Sequence, residues 1–271
     1  MSDTLPAAVA AGAAAPVPAM LKLAARLAAE GATFSAWVSL DPISTLTFAR
    51  QDYDAITFDL QHGRVDLAAT VQGIQMANGA GKPALARIPV GEFQTGARLL
   101  DAGASGIIAP MVNSVAEARA FVDFCKYPPL GARSFGAYAA MTMSGFDRLA
   151  FLENANQFCK LFPMIETAAA LEALDDILAV DGIDGVFVGP ADLSIGLTQG
   201  TAVDPDHPKV VEALTRVVNA CRAAGKVAGV YSLTGEWAAK VARAGFNFIA
   251  VASDTSCLAS GSAAAIKAAR A

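Results

Sequence analysis

The feature that most constrains this chain is an eightfold alternation. Short apolar runs rich in β-branched and aromatic residues alternate with longer, alanine-rich stretches of helical periodicity. The runs are Phe34–Ser39, Ala55–Asp59, Ala84–Arg87, Gly106–Ala109, Lys160–Ile165, Gly185–Val188, Val227–Tyr231 and Phe246–Ala252. Helical patterns follow them at Ser44–Gln51, Leu67–Asn78, Glu92–Asp101, Ser114–Cys125, Ala168–Val180, Pro208–Ala223, Thr234–Ala244 and Cys257–Ala269. Strands apolar along their whole length are buried on both faces, and a helix after each one implies a parallel sheet. Eight such units predict an α/β fold, a single (β/α)8 TIM barrel over residues 20–271. An open dinucleotide-binding sheet would want GxGxxG after its first strand, and none is there. The alanine- and proline-rich residues 1–19 are expected to form a flexible tail. The long excursion Phe124–Gln157, between the fourth and fifth runs, holds a helical piece and is expected to be a functional loop.

Composition removes several classes of function. A net charge of −5 and a pI near 5.0 leave no electrostatic footprint for nucleic acid. Outside the proline-broken N-terminal stretch, no uncharged run reaches the roughly 18 residues that span a bilayer. That stretch also lacks the basic start of a signal peptide. Cys125, Cys159, Cys221 and Cys257 are too far apart for a zinc or redox motif and are expected as buried thiols. These readings predict a cytoplasmic protein with no nucleic-acid or membrane partner.

A barrel places its chemistry at the C-terminal ends of its strands. Asp59 and His62 follow the second run, Arg87 ends the third, Asn113 follows the fourth, Glu166 the fifth, Asp192 the sixth and Asp254 the eighth. Lys82, Lys160 and Lys226 precede or open their runs, at the opposite end, so Schiff-base chemistry has no candidate amine. Glu166 and Asp192 form a hard, oxygen-only pair suited to Mg²⁺ or Mn²⁺. Each acid is equally compatible with simply capping the helix that follows. His62 is a candidate general base or a surface histidine, and Arg87 a carboxylate clamp or a rim salt bridge. Asp101, at a helix end, and His207, at a helix start, read as structural. The Gly189-Pro190-Ala191 turn offers backbone amides to an anion.

The motif Gly182-Ile183-Asp184-Gly185-Val186-Phe187-Val188-Gly189-Pro190-Ala191-Asp192-Leu193-Ser194 resembles the HpcH/HpaI family of metal-dependent, class II pyruvate aldolases. Met164-Ile165-Glu166-Thr167, Leu99-Leu100-Asp101-Ala102-Gly103, Ala109-Pro110-Met111-Val112-Asn113 and Arg133-Ser134-Phe135-Gly136 extend the resemblance across about residues 20–260. It implies reversible retro-aldol cleavage of a 4-hydroxy-2-oxo acid to pyruvate or hydroxypyruvate and an aldehyde, through an enolate stabilised by a divalent metal. Mg²⁺ or Mn²⁺ is the first expectation, with Co²⁺ or Zn²⁺ also compatible. By the resemblance Glu166 and Asp192 hold the metal, and Gly189, Pro190, Ala191 and Asp192 hold the oxo-acid carboxylate. Arg87 faces the enolate oxygen, and His62 is the acid/base. Asp101 becomes the carboxylate partner of His62, reaching a neighbouring subunit's site, and a homotrimer or homohexamer is implied, its last helix packed on a neighbour. One departure stands out: Gln61 occupies a position where many members carry an acid. Oxaloacetate decarboxylation, acyl-CoA lyase chemistry and a non-catalytic oxo-acid-binding barrel are the rival readings.

Overall fold

The computed structural model describes residues 16–271, so the expected tail lies outside the described residues except for its last few positions. The first half of the chain runs α1 (Ala19–Ala28), β1 (Thr33–Val38), α2 (Ser44–Phe48), β2 (Ala55–Asp59), α3 (Leu67–Gly79), β3 (Ala84–Arg87), α4 (Phe93–Asp101), β4 (Gly106–Ala109) and α5 (Val115–Cys125). The second runs α6 (Tyr138–Ser144), α7 (Arg148–Phe158), β5 (Lys160–Ile165), α8 (Ala168–Glu172), α9 (Leu174–Leu178), β6 (Gly185–Val188), α10 (Pro190–Leu197), α11 (Pro208–Ala224), β7 (Val227–Ser232), α12 (Gly235–Ala244), β8 (Phe248–Ser253) and α13 (Asp254–Ala269). The strands pair in parallel in chain order and β8 closes on β1. The predicted TIM barrel is therefore the observed fold.

Strand parity sorts the side chains. In β1, Ala36 and Val38 join the outer core under the helices, while Trp37 joins the inner one. The same alternation sends Phe162 and Met164 of β5, Phe187 of β6 and Phe248 and Ala250 of β8 inward, and Leu161, Ile165, Val186, Val188 and Ile249 outward. Successive side chains of a strand point to opposite faces, so runs buried on both faces carry no polar alternation until the strand ends. Polar caps then start the helices: the Ser114, Asp147, Thr167 and Thr234 side chains each accept a first-turn N–H.

Helix α1 is absent from the sequence reading, and it closes the barrel. Leu23 is fully buried, and Leu23 and Leu27 pack in the inner cluster with Leu85, Ile108 and Phe162. Arg26 fastens the helix beside the strand starts through Asp54, at 3.0 Å, and the Ala32 carbonyl, at 2.7 Å. The predicted helix Ala168–Val180 is divided at Ala173 into α8 and α9. The Phe124–Gln157 excursion corrects an expectation. It folds into α6 and most of α7 and delivers Phe135 and Phe151 to the outer core, and none of its residues lines the cavity at the strand ends. Lys126 ties it to the strand-start end, its Nζ donating to the Asn156 carbonyl and to Asp184, both at 2.9 Å. Sequence alone left α13 free to pack on its own barrel. It stands off instead: Asp254 is its one buried residue, and Leu258 and Ile266 are exposed.

Candidate active site

The strand C-termini surround a cavity of about 350 Å³, into which β1, β2, β3, β5, β6, β7 and β8 or the loops after them project side chains. The parity of each strand selects them. Thr57 is followed at the next inward position by Asp59, Leu85 by Arg87, Phe162 and Met164 by Glu166, and Phe187 by Gly189.

Asp59 and Arg87 form a two-pronged ion pair, Nε to Oδ1 at 2.9 Å and Nη2 to Oδ2 at 2.7 Å. The Trp37 indole N–H donates to Asp59 Oδ2 at 3.3 Å, and the guanidinium lies 5.0 Å over the Trp37 ring. Burial pushes the Asp59 pKa up, but the bonds and charge of Arg87, with help from the His62 N–H and Trp37, outweigh it and hold the carboxyl below its ordinary value. The backbone N–H of His62 donates to Asp59 Oδ1 at 3.3 Å, so the same carboxylate that orients Arg87 turns the loop bearing His62. That turn is tight: a Cβ on Gly63 would sit 2.1 Å from the Asp59 carbonyl oxygen. The imidazole is exposed and lines the cavity.

Glu166 is buried, and its Oε1 accepts the Met111 N–H at 2.7 Å. Met111 presents that N–H from a left-handed backbone, φ 54°. Burial raises the Glu166 pKa, the Met111 bond pulls it back, the charge of Asp192 raises it further, and Arg87 partly offsets that. Asp192 is exposed in the first turn of α10 and lines the cavity. Gly189 borders the space below it. A Cβ there would come within 2.8 Å of Glu166 Oε2, so only glycine leaves that oxygen an open approach. Gly189 also gives α10 no side-chain cap, so the first-turn N–H groups of Ala191 and Asp192 remain available to an anion at the cavity.

Two carboxylates, one buried with an open oxygen and one on the rim, fit a hard divalent ion. Among the described residues no group of three His, Cys, Asp or Glu side chains gathers to hold a metal. An ion on Glu166 and Asp192 would thus keep most of its positions for substrate and water.

The structure therefore brings His62, Arg87, Gly189, Pro190, Ala191 and Asp192 around one cavity, with Glu166 beside it. It does not bring Asp101 to His62 within this chain. Asp101 ends α4, and its Oδ1 accepts from Arg133 Nη2 at 2.6 Å. Asn113 and Asp254 also serve as fasteners. Asn113 bonds the Thr167 hydroxyl, tying the loop after β4 to the loop after β5. Asp254 takes the N–H groups of Ser39 and Leu40, each at 3.0 Å, binding the end of β1 to the start of α13. His207 caps α11. No lysine lines the cavity, and Lys82, Lys160 and Lys226 bond carbonyls or Asp184 at the strand-start end.

Sequence reasoning missed Trp37, Ser39, Tyr231, Ser253 and Thr255, which also line the cavity. Parity alone nominates Trp37, Ser39 and Tyr231. Ser253 lies off the pattern of Phe248 and Ala250, because Ala252 takes a left-handed conformation (φ 57°) where the β1–β8 register shifts.

Residues 34–260 match the model of the HpcH/HpaI aldolase/citrate lyase family. A hydroxypyruvate/pyruvate aldolase of Rhizorhabdus wittichii is 39% identical over 210 residues, covering 78% of this chain and 82% of that protein. A 4-hydroxy-2-oxovalerate aldolase of Rhodococcus jostii is 36% identical over 235 residues, 85% of this chain and 89% of that one. The crystal structure of an HpcH/HpaI aldolase from Desulfitobacterium hafniense superposes with a TM-score of 0.85 at 28% identity, over 92% of this chain and 96% of that one.

Proposed function

The chain belongs to the HpcH/HpaI aldolase/citrate lyase family, and from that membership and the cavity we propose that it is a class II aldolase cleaving 4-hydroxy-2-oxo acids to pyruvate or hydroxypyruvate and an aldehyde. The observation that carries the reading is the buried Glu166 carboxylate, its Oε2 left open by Gly189, beside the Asp192 charge. A divalent cation held by Glu166 and Asp192, Mg²⁺ or Mn²⁺ by the hardness of the donors, supplies a Lewis acid for the 2-oxo group when bound.

The remaining work falls to this chain's own groups. The amides of Ala191 and Asp192 hold the oxo-acid carboxylate at the start of α10. Arg87, locked on Asp59, directs its charge toward the oxygen on which negative charge develops as C3–C4 breaks, and such preorganised charge is the large term. His62, free of side-chain bonds and open to solvent, accepts the 4-hydroxyl proton in cleavage and returns it in synthesis. Atoms balance without an oxidant: one C–C bond becomes a carbonyl and an enolate, and the enolate regains a proton at carbon.

The size of the cavity suits a small acid and a small aldehyde, and a lining whose one guanidinium is Arg87 offers no groove for a nucleotide diphosphate. We place Asp101 beside a neighbouring subunit's His62, supported by its partly exposed carboxylate. We also propose a homotrimer or homohexamer in the cytoplasm. Phe34 of β1, Val251 of β8 and Tyr53 of the loop before β2 line an open groove of about 300 Å³ while α13 stands away from the barrel, so a helix from a second copy can cover it.

Incubation with pyruvate in D₂O tests the reaction. Methyl deuteration that requires Mg²⁺ or Mn²⁺ is the expected result, and its absence with both ions rejects an enolate-forming enzyme. His62→Ala is expected to retain pyruvate binding and lose about 10²–10⁴-fold in aldol turnover.

A further inference from the structure

The cavity is divided by charge. Glu166, Asp192 and the start of α10 occupy one side. On the other side, β1, β7, β8 and the start of α13 contribute Ser39, Tyr231, Ser253 and Thr255 around Trp37. These four carry hydroxyl groups and no charge, and none of them is among the groups assigned above to the oxo acid.

Tyr231 is the largest of the four and is held in place. Its ring meets Trp37 edge-on, with centroids 5.2 Å apart and planes at 68°. Trp37 is in turn bonded to Asp59. Burial raises the Tyr231 hydroxyl pKa while the nearby Ser253 hydroxyl and the Arg87 charge pull it back, and the group stays protonated at neutral pH, able to donate and accept. Ser253 reaches this wall only through the bulge at Ala252, and its hydroxyl also takes the Ser256 N–H at 3.2 Å.

The one guanidinium near this wall is already engaged. Arg87 spends Nε and Nη2 on Asp59, and the buried Asp254 carboxylate sits behind Ser39. An aldehyde bearing its own carboxylate would meet hydroxyl groups and a guanidinium already paired with Asp59 here, whereas a hydroxylated one would exchange water hydrogen bonds for protein ones.

We infer that the acceptor half of the cavity selects a short, uncharged, hydroxyl-bearing aldehyde, and that Tyr231 makes the selection. The inference rests on the aldolase reading above. Its test compares glyceraldehyde, propanal and succinic semialdehyde as acceptors for pyruvate with Mn²⁺, in the wild-type chain and in Tyr231→Phe. Wild type is expected to favour glyceraldehyde over propanal, and over succinic semialdehyde, in kcat/KM. Tyr231→Phe is expected to lower the glyceraldehyde-to-propanal ratio by about two- to tenfold, the span of one neutral hydrogen bond, mainly through KM. An equal loss for both aldehydes assigns Tyr231 a structural role and overturns the inference, as does wild-type preference for the semialdehyde. Pyruvate deuteration by wild type separates the two levels. Deuteration with an unmoved ratio overturns the selection alone, and no deuteration overturns the aldolase reading and the selection with it.

Discussion

Glu166 sits where its strand puts it, two inward positions beyond Phe162 in a space that burial makes unfavourable for charge. A neutral isostere should relieve that penalty while still accepting the Met111 N–H. Glu166→Gln is therefore expected to melt no lower than wild type in EDTA, yet to lose the gain from Mn²⁺. At 100-fold saturation that gain is about 2.7 kcal/mol, several degrees in Tm. Melting curves with and without Mn²⁺ check this, and an equal Mn²⁺ gain in both chains removes Glu166 from the ligand set. The Asp59–Arg87 pair predicts a pH effect. The folded-state pKa of Asp59 is lowered, so its stabilisation is complete above the ordinary carboxyl value of about 3.9 and is lost as pH falls through the folded value. Arg87→Ala leaves that carboxylate buried and unpaired, costing about 3–5 kcal/mol near neutrality. The Tm gap to wild type should narrow from pH 6 toward pH 3 as Asp59 protonates; a gap constant across that range contradicts the assignment.

Elements were legible to the degree that their pattern was local. Five strands, among them Ala55–Asp59 and Lys160–Ile165, begin and end where the apolar runs do, because such a run stops at a charged residue, as at Asp59, Arg87 and Glu166, or at Pro110 or Gly189. Helix α1 was hidden because its alanine-rich sequence merges with the alanines before it, and only the barrel end it covers reveals its apolar face. Helix α10 was hidden as well, because it starts at Pro190, directly after the last residue of the β6 turn, and is only eight residues long. Because α1 closes the inner core, Leu23→Ala is expected to cost about 2–5 kcal/mol, measured by denaturant unfolding. A loss below 1 kcal/mol would mean that α1 is dispensable to the barrel.

Among the described residues, the groove over β1 and β8 stays open to solvent. With α13 standing off and the β1–β8 groove open, the assembly should depend on that helix. A chain ending at Ser260 keeps the Ser253–Ser256 capping box and is expected to sediment as a smaller species than the full chain. Identical sedimentation of the two rejects α13 as the link. The strand order, the rim bearing Asp59, His62, Arg87, Glu166 and Asp192, and the exclusion of lysine from it could all be read along the chain. Hydrophobic period and strand parity are properties of neighbouring residues. The bond of Asp59 to Arg87, the pairing of Asp101 with Arg133, the bulge that turns Ser253 inward and the stance of α13 could not. Each is settled by contacts between residues far apart in sequence, whose geometry exists only once the cylinder has closed.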